Sequence, residues 1–334
     1  MNQKDRLLKA LNGQKVDRPP VICPGGMMNA AVTEVVENIS KNHNVDVDSM
    51  VEAAKKVYEI TGFENYGVPF CMTVEAEPLG VELDFGSKIV EPRVTEYNKN
   101  QLEYIMKNYK VNPLKDKRMP AVIEAVKRLK NDDIPVTGSI TGAISTATSV
   151  VDPLGLIKMF RKSPKEAYEF IDYVNDYTIE YAVELVKAGA DVIAVADPTA
   201  TGEILGKRNF DKFASPMYKK LIKEMHKFNV PVIIHICGNT KNIIESLNEI
   251  GADAVSFDSI VNMRLAKSKL KTRLMGNINT QLLHTGTKKK IISITKNCID
   301  SGVDIVSPAC GLSMATPIEN LKAMTDFVKG KESL

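Results

Sequence analysis

Residues 231–258 read PVIIHICGNTKNIIESLNEIGADAVSFD. Two short apolar runs, 231–237 (PVIIHIC) and 254–258 (AVSFD), flank a segment that ends a helix at Ile250-Gly251. Glycine fits a helix C-cap there, because positive φ is cheap without a Cβ. A strand, a helix and a second strand of these lengths form a βαβ unit, in which the strands lie parallel and the helix packs outside them.

The unit recurs along the chain. The lead-in Gly251-Ala252-Asp253 has counterparts in Gly189-Ala190-Asp191 and Gly302-Val303-Asp304, each between a helix and an apolar run. Eight candidate core strands result: 20–23, 63–68, 135–140, 191–196, 231–237, 254–258, 273–278 and 304–307. Eight strands separated by helices predict closure into a (β/α)8 TIM barrel, α/β in class, as a single domain over residues 1–334. A helical N-terminal extension precedes the first strand. A hairpin insertion over 73–95 follows the second, and a helical stretch over 98–130 comes next. Ser163-Pro164-Lys165-Glu166 and Thr316-Pro317-Ile318-Glu319 read as capping boxes that open helices.

The 334 residues suit one such barrel. They carry 44 basic and 41 acidic side chains, a near balance that argues against a nucleic-acid footprint. No run approaches the ~18 apolar residues of a membrane span. The opening MNQKDRLLKALNG has no apolar stretch before a small-residue cleavage site, so a cytoplasmic location is expected. There the five cysteines stay reduced, and pairs of them read as metal or catalytic candidates.

Of the four histidines, His43, His226 and His284 lie in polar or helical contexts and are expected at the surface. His235 ends an apolar strand, with Cys237 two residues on. In a strand, i and i+2 face the same way, so an imidazole and a thiol project together at the C-terminal mouth, where barrel active sites are built. Cys310, in SPACGL, follows the last strand and can meet them there. One nitrogen and two sulfurs make a three-ligand set for Zn2+ with an open fourth position, as in catalytic zinc sites; structural sites have four protein ligands. An iron–sulfur cluster would need about four cysteines. Cys23, Cys71 and Cys298 lack a second ligand type nearby and read as structural or pocket-lining.

Glu75 and Glu77 follow the second strand, Asp197 the fourth, Asp258 the sixth, and Asn277 ends the seventh. Such groups can orient a metal shell or move protons. Asp197 and Asp258 equally suit helix-start or turn positions, and Glu77, before Pro78, reads as structural. Gly25-Gly26-Met27-Met28 permits close approach of a bulky ligand, or core packing by the two methionines.

Five segments carry a resemblance: DRPPVICPGGMMNAA (17–31), PFCMTVEAEPLG (69–80), HICGNT (235–240), MGNINT (275–280) and SPACGLSMATPIENLKAM (307–324). Over nearly its whole length the chain resembles the uroporphyrinogen decarboxylase superfamily, and within it the cobamide-dependent methyltransferases that pass a methyl group from a methyl-corrinoid protein to coenzyme M. The resemblance implies that His235, Cys237 and Cys310 are the zinc motif; Met27, Met28 and Asn277, placed at the mouth by their positions after strand one and at the end of strand seven, are the candidates for contact with substrate or corrinoid. Glu75 is a candidate fourth ligand, and Glu75, Asp197 and Asp258 are the catalytic candidates.

It also implies a mechanism. A free thiol has a pKa of about 8.5 and is mostly protonated at neutral pH; bound at an open zinc position it deprotonates and attacks the methyl group of methylcobalamin. The chain has no DxHxxG-type corrinoid motif, so the cofactor is expected on a separate corrinoid protein. The decarboxylases carry an arginine-rich segment after strand one; here no arginine or lysine lies between Arg18 and Lys41. Decarboxylation therefore ranks below methyl transfer. Transfer to tetrahydrofolate and the reverse reaction, demethylation of a methoxyaromatic or methylamine onto a corrinoid protein, are the alternatives. For the sulfonate of coenzyme M, Lys207 and Arg208 are candidate cations, or merely a solvated helix start.

Overall fold

The fold is seen in a computed structural model, which describes residues 1–332. Seven parallel strands form one sheet: β1 (Tyr66–Val68), β4 (Val136–Thr141), β5 (Val192–Ala196), β6 (Val232–Ile236), β7 (Ala254–Phe257), β8 (Arg273–Ile278) and β9 (Ile305–Pro308), hydrogen-bonded in that order. β2 (Glu82–Asp84) and β3 (Arg93–Glu96) make the antiparallel hairpin inserted after β1. It is shorter than the expected 73–95, because Glu77–Leu79 forms a 3-10 turn first.

The expected first strand is the main correction. Residues 20–23 make only a single parallel bridge, Val21 to Val306. Even so, they occupy the eighth position and join β9 to β1. Val306 N–H donates to Pro20 O and Ile22 N–H to Val306 O on one side; Glu64 N–H donates to Val21 O on the other. Side chains replace the missing ladder. The Glu64 carboxylate accepts from Val21 N–H at 3.1 Å, and the Asn65 amide bonds both the N–H and the carbonyl of Cys23. The result is a TIM-type barrel with one irregular staff.

Alternation along the strands fills the interior. Val192, Ala194, Ile233, Ala254, Met275 and Ile305 point inward and pack with Ile22 and Met28. Leu7, Ala10 and Leu11 of the N-terminal helix Gln3–Leu11 join the same cluster, so the helical extension is part of the interior core. Outward-facing residues such as Ile193, Val195, Ile234 and Val255 belong to the larger core under the helical ring. At roughly 25 cal/mol per Å2 of buried apolar surface, each fully buried Ile or Leu contributes about 2 kcal/mol.

Several local expectations change. The 98–130 segment is two helices, Leu102–Asn108 and Met119–Leu129, separated by VNPLKD and its Pro113. Helix Pro164–Ala188 begins with proline in its first turn, but Ser163 makes no capping bond. The last helix, Ile318–Val328, starts after Pro317, and the Thr316 hydroxyl is buried without a partner. The lead-in glycines hold: Gly189, Gly251 and Gly302 have φ of 118°, 82° and 87°. No helix among the described residues is long and apolar enough to cross a membrane.

Candidate metal centre at the barrel mouth

β6 delivers two side chains to one point. His235 and Cys237 share a face of the strand and its extension, as the i, i+2 spacing requires. The segment after β9 delivers the third; Ala309 N–H donates to Ile278 O at 2.8 Å, which pins the chain just before Cys310. His235 Nε2 lies 3.2 Å from Cys237 Sγ, and the two sulfurs are 3.3 Å apart. The three ligand atoms all fall within 4.8 Å of one another, the grouping among the described residues that can hold a metal. His235 is 3% exposed, whereas Cys237 and Cys310 are half-buried and reachable from the mouth.

The thiols share their protons unequally. A hydrogen bond from Cys237, reinforced by His235, holds the Cys310 thiol below its ordinary value, and the same bond pushes the Cys237 thiol up. Around them lies a framing shell. Ser256 Oγ is 3.0 Å from His235 Nδ1. The Asp258 carboxylate accepts from Gly238 N–H at 3.1 Å, fixing the backbone beside Cys237, and from Ile260 N–H at 3.2 Å. Met27 Sδ stands 3.8 Å from Cys237 Sγ. The Gly25-Gly26 loop is pressed against its surroundings: a Cβ at Gly26 would sit 2.3 Å from Ser139 Oγ, and one at Gly311 would sit 3.0 Å from Met27 O. Glycine is thus required for Met27 to approach the sulfurs.

The other candidates separate from this centre. Met28 is 2% exposed and belongs to the interior core, with its sulfur 3.6 Å from Ser256 Oγ; it packs beneath the ligands and offers no surface to a substrate. Glu75 is buried outside the 4.8 Å group. Its Oε1 accepts from Thr141 N–H at 2.9 Å, its Oε2 has no partner, and burial pushes its carboxyl up.

Asp197 caps the helix Ala143–Val150, which follows the neighbouring strand β4. It accepts from Ser145 N–H at 2.8 Å, Ser145 Oγ at 2.6 Å and Tyr218 Oη at 2.9 Å, and burial raises its carboxyl. Asn277 spends its amide on the carbonyls of Asp258 and Val261, bracing the loop after β7. Lys207 is committed to Asp211 and Ser246, as a helix-start residue would be.

Cys23 donates to Met28 O, Cys298 to Gly276 O, and Cys71 lies against Thr73 and Arg118, so the three remaining sulfurs have structural partners. Against expectation, His43 is 1% exposed; burial lowers its imidazole to about 4, and its ring meets Phe70 edge-on. Glu77 pairs with buried Arg118 at 2.7 Å, the structural role its place before Pro78 suggests.

Residues 2–330 match the uroporphyrinogen decarboxylase family. A methylcobamide:CoM methyltransferase of Methanosarcina mazei is 31% identical over 333 residues, spanning 98% of this chain and 97% of that protein. The corresponding protein of Methanosarcina acetivorans is 30% identical with the same coverage. The solved structure of a methyltransferase from Methanosarcina mazei matches with a TM-score of 0.89 at 29% identity, covering 99% of each chain.

Proposed function

The chain belongs to the uroporphyrinogen decarboxylase family, and from that premise we propose that it is a corrinoid-dependent methyltransferase whose acceptor is a thiol of the coenzyme M kind. One observation carries the reading: His235 Nε2, Cys237 Sγ and Cys310 Sγ converge at the open mouth while His235 Nδ1 is already bonded behind them. That donor set, one imidazole and two thiolates, suits Zn2+ with a position left for substrate. A zinc ion there would keep an incoming thiol deprotonated yet nucleophilic at neutral pH.

The chain's own residues then divide the work. Cys237, Cys310 and His235 would hold the ion, and the two thiolate charges would leave an acceptor sulfur bound there electron-rich. Asp258, through Gly238, keeps the Cys237 backbone in place. Met27 lines the approach. The acceptor sulfur forms the S–CH3 bond as the donor's cobalt–carbon bond breaks; that bond's electron pair stays with cobalt, and the thiol proton leaves to solvent. The methyl donor is a methylated corrinoid carried by a separate protein that sits over the mouth. Exposed Ile204 and Ile260, on the loops after β5 and β7, offer it apolar contact.

Decarboxylation of a polycarboxylate fits poorly, since Arg18 is occupied by Glu64 and Arg118 by Glu77.

The test follows the absorbance of free methylcobalamin anaerobically with the zinc-loaded protein and either coenzyme M or tetrahydrofolate. Demethylation is expected with the thiol and not with the folate. Folate-dependent loss alone would reassign the acceptor, and no reaction with either would direct attention to the reverse reaction.

A further inference from the structure

We propose that Ser256 is the positioning residue of this centre, fixing the tautomer and rotation of His235 so that Nε2 faces the two sulfurs. The proposal rests on the reading of His235, Cys237 and Cys310 as metal ligands.

Register puts the two side chains together. His235 on β6 and Ser256 on β7 are direct partners in the parallel ladder, and both point into the barrel. Ser256 Oγ lies 3.0 Å from His235 Nδ1, with Ser256 fully buried and His235 nearly so. No solvent competes for that bond.

The direction of the bond matters. A neutral imidazole carries one N–H. If Nδ1 donates, Nε2 keeps its lone pair for a metal; if Nδ1 accepts, Nε2 carries the proton and cannot ligate. The serine hydroxyl can play either part, and a third group gives its proton a place to go when it accepts. Met28 Sδ lies 3.6 Å from Ser256 Oγ and, as a thioether, can only accept. With the hydroxyl proton turned to Met28, the hydroxyl oxygen accepts from Nδ1–H, the arrangement that leaves Nε2 free for a metal. Met28, Ser256 and His235 thus form a chain of contacts that ends at Nε2, 3.2 Å from Cys237 Sγ. Because serine is neutral, it orients the imidazole without adding charge to the site, so the negative charge there comes from the two thiolates.

The test is zinc affinity, read anaerobically by competition with a chromophoric chelator. The variants are Ser256→Ala, Ser256→Thr, His235→Gln and the Ser256→Ala/His235→Gln double. Losing an outer partner of a ligating histidine typically weakens metal binding 10–100-fold. Ser256→Ala is expected to show a loss of that size, and Ser256→Thr, which keeps the hydroxyl, to recover most of it. In the His235→Gln background Ser256→Ala should cost nothing further, whereas a mere packing defect would weaken binding in both backgrounds. Wild-type affinity in Ser256→Ala, or an equal loss in both backgrounds, would overturn the positioning role while leaving the ligand assignment intact. A wild-type chain that takes up no zinc would overturn that assignment and this proposal with it.

Discussion

Cys310→Ala is expected to bind zinc far more weakly and to lose thiol-dependent demethylation of methylcobalamin by at least about 30-fold. The lower bound is set by ionisation. A free thiol with a pKa of about 8.5 is roughly 3% thiolate at pH 7, so an acceptor that is no longer activated loses about that factor. Loss of its fixed position adds to the effect. The fold should survive, because Cys310 is half-buried beyond the end of β9 and belongs to neither core cluster. Zinc per chain and the initial rate, measured on the same preparation, check both halves of the expectation. Full zinc content with a full rate would remove Cys310 from the ligand set.

The second large effect is on stability. Glu77→Ala is expected to lower the unfolding free energy by about 3–5 kcal/mol, the range for removing one partner of a buried ion pair. Arg118 is 5% exposed and bonds Glu77 Oε2 at 2.7 Å, Thr73 Oγ1 at 2.7 Å and Asn44 O at 3.2 Å, with Phe85 stacked on its guanidinium at 5.1 Å. It thereby ties the loop after β1 to the N-terminal segment and to the inserted hairpin. Without Glu77 the guanidinium stays buried with no carboxylate bonded to it. Replacing both, as Glu77→Leu with Arg118→Met, should lose less than Glu77→Ala alone, because no charge is then stranded. Urea denaturation of the three proteins decides this. A loss under about 1 kcal/mol for Glu77→Ala, the value of an exposed pair, would mean that water reaches the arginine.

The later strands are legible in the sequence because they are buried on both faces and bounded by repeated glycine C-caps. Residues 20–23 read equally well as a strand, yet Glu64 and Asn65 side chains supply half of their hydrogen bonds, which no apolar pattern encodes. The capping boxes at 163 and 316 carry the right letters, but neither hydroxyl makes the bond, and helix starts are set there by Pro164 and Pro317.

At the site, the i, i+2 spacing of His235 and Cys237 suffices to place both at the mouth, and barrel closure supplies Cys310. Asp197 and Asp258 read as either caps or catalytic groups; their hydrogen bonds are those of a cap and a loop brace. Ser256 carries no signal in AVSFD by itself. Its partnership with His235 depends on how β6 and β7 align, and a single sequence does not give that register. Arg118 and His43 lie in polar, helical-looking stretches, and their burial follows from the packing of the inserted hairpin and the N-terminal segment.

The most direct test is the zinc K-edge spectrum of the wild-type protein before and after anaerobic addition of coenzyme M. One nitrogen and two sulfur ligands from the protein, rising to three sulfurs with the thiol, is the expected result. A ligand shell that gains no sulfur on thiol addition would contradict activation of the acceptor at His235, Cys237 and Cys310.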